Sequence, residues 1–445
     1  MTTTQASLAP RALLLARSHI AMVTGLLGGL ALVLWLEGTI GSPSSAATDP
    51  MAPFAGIAPL PLAKEHLPSA EESRAASIAW RYFKNNINPD TGLVASVDGY
   101  PSTTMWETGA LIDAVVSADR LGLIKSTEAE GLLAQTVGTL AKLPLTPSGL
   151  PNKAYDIRSL AMVTYKNEPT QTGTGWSAID MGRLLASLYV AERAYPSLSE
   201  PIGRLLSGWS LSRLVTNGEL TGGNIVDGAV VEHQEGRIGY EQYAAKAMMA
   251  HLLDVNAALN LSDDLTGHEV SGVIVPGDNR LNRNRVPAFT TSEPYLLDGL
   301  QFGFDARSHL FASQVFRAQE QRFVQTGIPT AVSEGHITVA PFFAYSTVWG
   351  GGQAWAVLTS DGMRMDSRRV LSTKAAFAWD ALFDTSYSNA LVARVAHLVK
   401  PERGWMEGQY ERDGTPDTAI TANTNAMVLS SIAYRKNGPL IGVVK

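Results

Sequence analysis

The feature of this sequence that most constrains the fold is a long series of amphipathic helical segments. Within each segment apolar side chains recur every three or four residues, and glycine, proline or asparagine separates it from the next. Strand-like alternation is weak and local, as in residues 335–340. The helical segments are 75–83, 110–118, 127–143, 178–194, 200–215, 241–259, 306–325, 370–383, 387–399 and 423–435. Together they predict an all-α fold of about a dozen helices, arranged as an (α/α)6 toroid of helical hairpins.

An apolar run precedes these helices and predicts a membrane helix. Residues 20–36 follow a flank that contains Arg11 and Arg17. A run of this length suits a short spanning helix, and a basic flank stays on the cytoplasmic side. The small residues 42–47 leave a cleaved signal open as the alternative, in which case the protein would be secreted. The predicted organisation is a cytoplasmic segment 1–19, a membrane anchor or signal 20–36, a flexible linker 37–67 and an exported toroid domain 68–445.

The composition narrows the function classes. Hydrophobic residues make up 45% of the chain and charged residues 17%, which is typical of a globular protein with a large core. The net charge is −6, and no run of lysine or arginine indicates a nucleic-acid partner. The chain has no cysteine, which excludes disulfides, thiolate metal sites and a cysteine nucleophile.

Aromatic and acidic residues recur together where a loop meets a predicted helix. In a toroid the inner helices direct one set of ends into a common cavity, so these residues would line it. Sugar rings pack their C–H faces on aromatic planes, and their hydroxyls pair with carboxylates and amides. The pattern therefore predicts a saccharide groove. Its members are Trp106 with Glu107, Trp176 with Asp180, Trp405 with Glu407, Tyr155 with Asp156, Tyr240 with Glu241, and Glu293.

The segment 403–434 concentrates this chemistry. It starts as a glycine-flanked loop that contains Trp405, Glu407 and Tyr410, and it continues into a helix that starts near Asn423 and Asn425. We interpret these five residues as substrate-binding. The alternative is a capped helix N-terminus with Trp405 as a buried plug.

Glycoside hydrolysis requires one protonated carboxylic acid and one ionised carboxylate, and three residues are candidates. Glu241 lies between Tyr240 and Tyr243 in a semi-apolar setting that would raise its pKa, so we predict it as the acid. Glu107 or Asp180 is the predicted partner. Asp180 is also spaced for a helical ion pair with Arg183, and Glu293 before Pro294 is also typical of a helix first turn.

Motifs spread over about residues 70–440 resemble those of a known group of proteins. They are Thr-Met-Trp106-Glu107-Thr-Gly, Leu-Pro-Asn-Lys-Ala-Tyr155-Asp156, Gly-Trp176-Ser-Ala-Ile-Asp180-Met-Gly-Arg, Ser-Glu293-Pro-Tyr-Leu-Leu-Asp, and Gly-Trp405-Met-Glu407-Gly followed by Thr-Ala-Asn423-Thr-Asn425. The group is a family of bacterial envelope domains of unassigned function, distantly similar to the glucoamylase-like (α/α)6 proteins that include β-1,2-glucanases. The resemblance implies the toroid fold and a carbohydrate-related role, without a defined catalytic pair. The apolar run 20–36 and its basic flank separately predict an inner-membrane anchor with the globular domain in the periplasm.

Three functions remain open on these observations. The favoured one is a glycoside hydrolase-like enzyme that acts on an envelope or extracellular glucan-like polysaccharide. The second is a non-catalytic protein that binds polysaccharide for a synthesis or export complex. The third is a polysaccharide lyase, with Tyr240, His233 or His336 as the base. The eight histidines show no metal-binding spacing, so we expect no metal and no cofactor.

Overall fold

The computed structural model describes residues 49–261, 264–281 and 288–441. The chain divides into two compact units, Met1–Ala52 and Pro53–Lys445. Only residues 49–52 of the first unit are described. All the described α-helices and β-strands belong to the second unit.

The described residues of this unit form twelve α-helices. They are α1 (Ala70–Asn86), α2 (Met105–Leu121), α3 (Ser126–Leu140), α4 (Ala178–Ala194), α5 (Ser199–Ser207), α6 (Tyr240–Ala250), α7 (Asn256–Leu259), α8 (Glu293–Leu297), α9 (Ala306–Thr326), α10 (Thr373–Phe383), α11 (Ser386–Val395) and α12 (Ala422–Asn437). Helix α8 continues as a π-helical turn, Asp298–Phe302.

Alternate helices contact one another in a closed cycle. Helix α2 packs on α4, α4 on α6, α6 on α8, α8 on α10, α10 on α12, and α12 returns to α2. The intervening helices lie against this ring: α3 contacts α2, α9 contacts α8, and α11 contacts α10. Helices α2, α4, α10 and α12 are almost wholly buried, which explains why their polar residues are confined to the ends and to internal hydrogen bonds.

Hydroxyl side chains fix where the buried helices begin. Thr104 accepts a hydrogen bond from the backbone N–H of Trp106, and Ser177 accepts one from Asp180. Ser372 and Thr421 cap α10 and α12 in the same way. Each cap satisfies a backbone donor that the helix itself leaves unpaired. Glu107 and Asp180, which follow the caps Thr104 and Ser177, are therefore held in the first turns of α2 and α4.

Antiparallel strands occupy the connections between helices. The strands are β1 (Ser102–Thr104), β2 (Ala154–Asp156), β3 (Met162–Val163), β4 (Gly175–Trp176), β5 (Val215–Thr216), β6 (Glu219–Val226), β7 (Ala229–Gln234), β8 (Leu265–Val270), β9 (Val273–Asp278), β10 (Glu334–His336), β11 (Phe343–Ser346), β12 (Trp349–Gly350), β13 (Gln353–Ala354), β14 (Val357–Leu358), β15 (Val370–Ser372), β16 (Val399–Lys400), β17 (Gly404–Tyr410) and β18 (Pro416–Ile420). They pair as β1-β2-β3, β4-β6-β5 with β7 on β6, β8-β9, β10-β11-β14, β12-β13, and β15-β17-β16 with β18 on β17.

The prediction of an all-α toroid is wrong, because the structure is mixed: 44% helix and 21% strand. The alternation of apolar and polar residues did not predict these strands, for two reasons. Most are only two to four residues long, too short for alternation to be recognised. The seven-residue strand β17 is buried at every position, so its two faces do not differ in polarity.

The predicted membrane helix, 20–36, lies outside the described residues. Within the described part of the chain, no helix is long and apolar enough to cross a membrane. The described end of the predicted linker runs along the folded unit: Leu60 N–H donates to Ser313 at 2.9 Å, and Ala63 N–H donates to the carbonyl of Leu382 at 2.8 Å.

Candidate functional site

The starts of four ring helices meet at one buried carboxylate, Glu293 at the start of α8. Glu293 is 1% exposed. It accepts hydrogen bonds from Lys374 of α10 and, at 2.6 Å, from Asn423 of α12. Arg183 of α4 lies 3.5 Å from the same Glu293 oxygen that Asn423 contacts. Two cations and an amide saturate Glu293, so it acts as the structural centre of this end of the ring.

A second group of carboxyl groups, the acidic cluster, consists of Glu107, Asp180 and Glu235. Asp180 lies in the first turn of α4, and Glu107 lies in the first turn of α2, where it accepts from Ser96 at 3.3 Å and from Thr104. Glu235 follows β7 and accepts from the Ser177 hydroxyl at 2.8 Å and the Ala178 N–H at 2.5 Å. These donors at a helix N-terminus stabilise a negative charge on Glu235.

Electrostatics distinguish Asp180 from its neighbours. Burial, followed by the charges of Glu235 and Glu107, raises the pKa of Asp180 to about 8, and Lys153 and the Ser177 hydroxyl only partly oppose this. Asp180 is part exposed, so a ligand can reach it. At neutral pH Asp180 therefore retains its proton, beside the Glu235 carboxyl group that accepts hydrogen bonds from the start of α4.

Part-exposed aromatic rings lie beside the acidic cluster. The rings of Trp106 and Tyr240 meet edge to face at 5.7 Å, and the Arg183 guanidinium lies 4.7 Å from the Trp106 ring. Burial and then the charge of Glu334 raise the pKa of Tyr345, which is opposite Glu334 in the β10–β11 register.

Three more carboxylates lie on strands at the same end of the ring. Glu334 on β10 accepts from Thr291 at 2.6 Å, and burial raises its pKa to about 7. Asp417 on β18 accepts from the Thr338 N–H at 3.1 Å, and burial with the charge of Glu407 raises its pKa to about 7. Glu407 on β17 accepts hydrogen bonds from the hydroxyls of Thr421 and, at 2.8 Å, Thr424.

Glu241, the acid predicted from sequence, lies in an ion-pair network. Arg280 approaches its carboxylate at 2.5 Å and also pairs with Asp278 at 2.7 Å. Gln234 donates to the other Glu241 oxygen at 2.9 Å. Burial raises the pKa of Glu241 as expected, but Arg280 opposes that shift. The Arg183 alternative for Asp180 does not form; Arg183 lies beside Glu293 and, at 3.9 Å, Asp113.

Several predicted substrate-binding residues are buried and bonded to the backbone. Their donor groups point at carbonyl oxygens: Trp176 to Thr221 at 3.0 Å, Tyr155 to Pro144 at 2.7 Å, Trp405 to Ala75 at 3.0 Å, and Asn425 to Thr421 at 2.8 Å. Trp405 is therefore a buried core residue, which is the alternative that the sequence left open. These residues therefore belong to the packed interior of the fold.

The remaining predicted residues divide between turn, core and site. Asp156 accepts from the N–H groups of Arg158 and Ser159, which closes a turn. Tyr410 belongs to a small buried cluster around β11 and β15. Asn423 bonds Glu293 and is buried. The ring end thus brings together Glu107, Asp180, Glu293, Trp106 and Tyr240, with Glu407 and Asn423 behind them.

Sequence reasoning missed Glu235, Glu334, Tyr345, Lys374 and Asp417. None of them stands next to a tryptophan, which was the pattern used to find the others. A glycine follows Glu235 and Glu334 directly, and this signal was available. A Cβ at Gly335 would lie 2.6 Å from the Glu407 carboxylate, so this glycine permits a close approach. Among the described residues, no three acidic or histidine side chains are grouped as metal ligands.

The comparison with protein families gives a match over most of the chain. The family model described as "Protein of unknown function (DUF3131)" matches residues 74–438. No protein with a curated description matches the sequence.

Solved structures match the fold at low sequence identity. The endo-β-1,2-glucanase from Chitinophaga pinensis, in complex with sophorotriose and glucose, is 11% identical, with a TM-score of 0.61 over 84% of this chain and 94% of that one. The endo-β-1,2-glucanase from Talaromyces funiculosus, in complex with sophorose, is 13% identical, with a TM-score of 0.57 over 84% and 85%. The glucoamylase from Hormoconis resinae is 12% identical, with a TM-score of 0.51 over 82% and 73%. The predicted resemblance to a family of unassigned function and to glucoamylase-like proteins is confirmed.

Proposed function

Since the chain belongs to the DUF3131 family, whose function is unknown, we propose from its site that it is a glycoside hydrolase-like enzyme acting on a glucan-like polysaccharide. Proteins of similar fold include two endo-β-1,2-glucanases, and their structures hold short glucan ligands. At these identities the likeness concerns the fold alone. The chemical support comes from the acidic cluster.

One observation carries the proposal: Asp180 is a part-exposed carboxyl flanked by two carboxylates. The charges of Glu235 and Glu107, with burial, raise its pKa to about 8. Glycoside hydrolysis needs this asymmetry, because one group must donate a proton while another keeps its charge. The nearby rings of Trp106 and Tyr240 offer surfaces on which a sugar can pack.

The proposed roles follow from the contacts of each carboxyl group. Asp180 donates its proton to the glycosidic oxygen as the bond from that oxygen to the anomeric carbon breaks. Glu107 is the second carboxylate and acts on the anomeric carbon, either directly or through water. Glu235 is a positioning residue, because its oxygens hold Ser177 and Ala178 at the start of α4. We assign the acid to Asp180 rather than to Glu241, since Arg280 and Gln234 occupy the Glu241 oxygens.

The cellular setting is proposed from sequence alone. The apolar run 20–36 and its basic flank support an exported protein, anchored at the inner membrane or released by cleavage. A polysaccharide of the envelope or the extracellular space would be the accessible substrate there.

The proposal is tested by product release from a panel of polysaccharides that begins with β-1,2-glucan. We expect the native chain to release shortened sugars, with a rate that falls above about pH 8 as Asp180 loses its proton. Asp180→Asn should lower the rate by about 10²- to 10⁴-fold, because the general acid is lost. The matched control is Glu128→Gln, an exposed carboxylate in the first turn of α3, which should retain the native rate.

Other results would select a different function. Binding without any product would favour the polysaccharide-binding role and overturn hydrolysis. An unsaturated product that absorbs in the ultraviolet would favour a lyase. Native rates in Asp180→Asn would remove Asp180 from the chemistry.

A further inference from the structure

The open face of strand β11 carries aromatic rings where a solvent-facing strand normally carries polar groups. Tyr345 is part exposed and Phe343 is 36% exposed, and they are two residues apart, so they share a face. The opposite face presents the small residues Ala344 and Ser346 to the core. This strand therefore buries its small side chains and leaves its large rings in the open, the reverse of the usual pattern.

The exposed rings form a continuous row. The Phe289 ring lies 4.6 Å from Tyr345, and Phe343 lies 5.3 Å from Tyr345. His336, paired with Phe343 across the β10–β11 hairpin, contacts Phe343 edge to face at 5.3 Å. The row is thus prepacked ring against ring and loses little side-chain freedom when a ligand binds to it.

The loop of the β10–β11 hairpin carries one more exposed ring, next to Phe343 in the chain. Phe342 precedes Phe343, is 61% exposed and has φ of 68°. Its N–H donates to the Val339 carbonyl at 2.8 Å, and its own carbonyl accepts from the Ile337 N–H at 3.2 Å. A bulky residue in left-handed conformation is costly, and these bonds hold it there with its ring in solvent.

The row begins at the buried carboxyl groups of the ring end. In the β10–β11 register Tyr345 is opposite Glu334, so the two side chains share one face of the hairpin. The Ser333 hydroxyl donates to Glu334 at 3.1 Å and to Glu293 at 3.4 Å. One end of the row therefore lies beside these carboxyl groups, and the other end is formed by Phe343 and His336.

We propose that Tyr345, Phe343 and Phe342 form an aromatic track that binds successive sugar units of one polysaccharide chain, leading away from the carboxyl groups at the ring end. This inference rests on the proposed function and deepens it, because it assigns a polymer rather than a disaccharide as the substrate. Sugar C–H faces stack on such rings, and hydroxyls remain in water at the open side. The occupant is a saccharide chain because the row begins at the carboxyl groups that recognise sugar hydroxyls.

The test separates binding from cleavage. Asp180→Asn keeps the polysaccharide intact, and calorimetry measures its affinity for β-1,2-glucan, for the other panel polysaccharides and for the matching disaccharides. Adding Phe343→Ala should weaken polymer binding by about three- to tenfold, the loss expected for one stacked ring, and leave disaccharide binding unchanged. Phe342→Ala should have the same direction and a smaller effect, because its ring lies on the hairpin loop, outside strand β11 and its packed rings.

The control variant changes an apolar side chain that is exposed elsewhere on the molecule. Val324→Ala removes an exposed apolar side chain from α9 and should change neither affinity. Equal polymer affinity with and without Phe343, or no polysaccharide binding at all, would overturn the track. Loss of polymer binding in Phe343→Ala without cleavage by the native chain would keep the track and refute the hydrolase. If both phenylalanines instead govern binding to phosphatidylglycerol vesicles, and polymer binding is unchanged, the surface contacts a membrane and the track is wrong.

Discussion

Two carboxyl groups at the same end of the ring, Glu293 and Asp180, have opposite surroundings. Lys374 and Arg183 approach Glu293, and Asn423 completes its shell. Asp180 instead faces two other carboxylates and has Lys153 as its opposing charge. Both groups start a ring helix, so secondary structure does not distinguish them. The charges that arrive from other elements decide which carboxyl stabilises the fold and which is available for chemistry.

The largest expected effect is on the Glu293 side of this comparison. Lys374 is buried, and although burial opposes it, the charges of Glu293, Glu407 and Glu334 raise its pKa. Lys374→Met should lower the free energy of unfolding by about 3–5 kcal/mol, because it leaves a buried charge without its main partner. Urea denaturation of the full chain measures this loss. Lys84→Met, at an exposed position of α1, is the control and should unfold as the native chain does; an equal stability of the two variants would refute the structural role of Glu293.

A smaller effect is expected at Glu241, which resembles Glu293 more than Asp180. Glu241→Gln removes the charge that meets Arg280, while Asp278 still holds the guanidinium. We expect a loss of about 1–3 kcal/mol in the free energy of unfolding, because a charged hydrogen bond becomes a neutral one. The rate of product release should stay within about threefold of the native rate. This change is smaller than the tenfold change that corresponds to the free energy of one pKa unit. A stable variant with abolished activity would restore Glu241 as the acid and reverse the comparison.

The sequence predicted the helical part of the fold well where local signals are strong. The stripe 178–194 coincides with α4, and the predicted helix 423–435 lies within α12. These helices begin at Ser177 and Thr421, whose side chains bond the next turn, so the signal lies within a few residues. The sheets left no comparable trace, because β17 is buried on both faces.

The candidate site was predictable to the same extent. Glu107 and Asp180 follow a helix cap and a tryptophan, and both could be read from local sequence. The Arg280 partner of Glu241 is 39 residues away, and the Lys374 partner of Glu293 is 81 residues away. Such pairings depend on how the ring closes, which a local pattern does not contain. Burial of Glu241 was anticipated correctly, but the cation that neutralises it was not.

The most direct test of this account is the titration of the Asp180 carboxyl. Carbon-13 NMR of the full chain, labelled at aspartate carboxyls and assigned with Asp180→Asn, would follow it from pH 3 to pH 10. Because burial and the charges of Glu235 and Glu107 favour the neutral form, we expect a midpoint near 8, against the ordinary value of 3.8. Glu235→Gln should move the midpoint downward by removing one of those charges. A midpoint near 4 in the native chain would show that Asp180 is already ionised at neutral pH and would contradict its assignment as the acid.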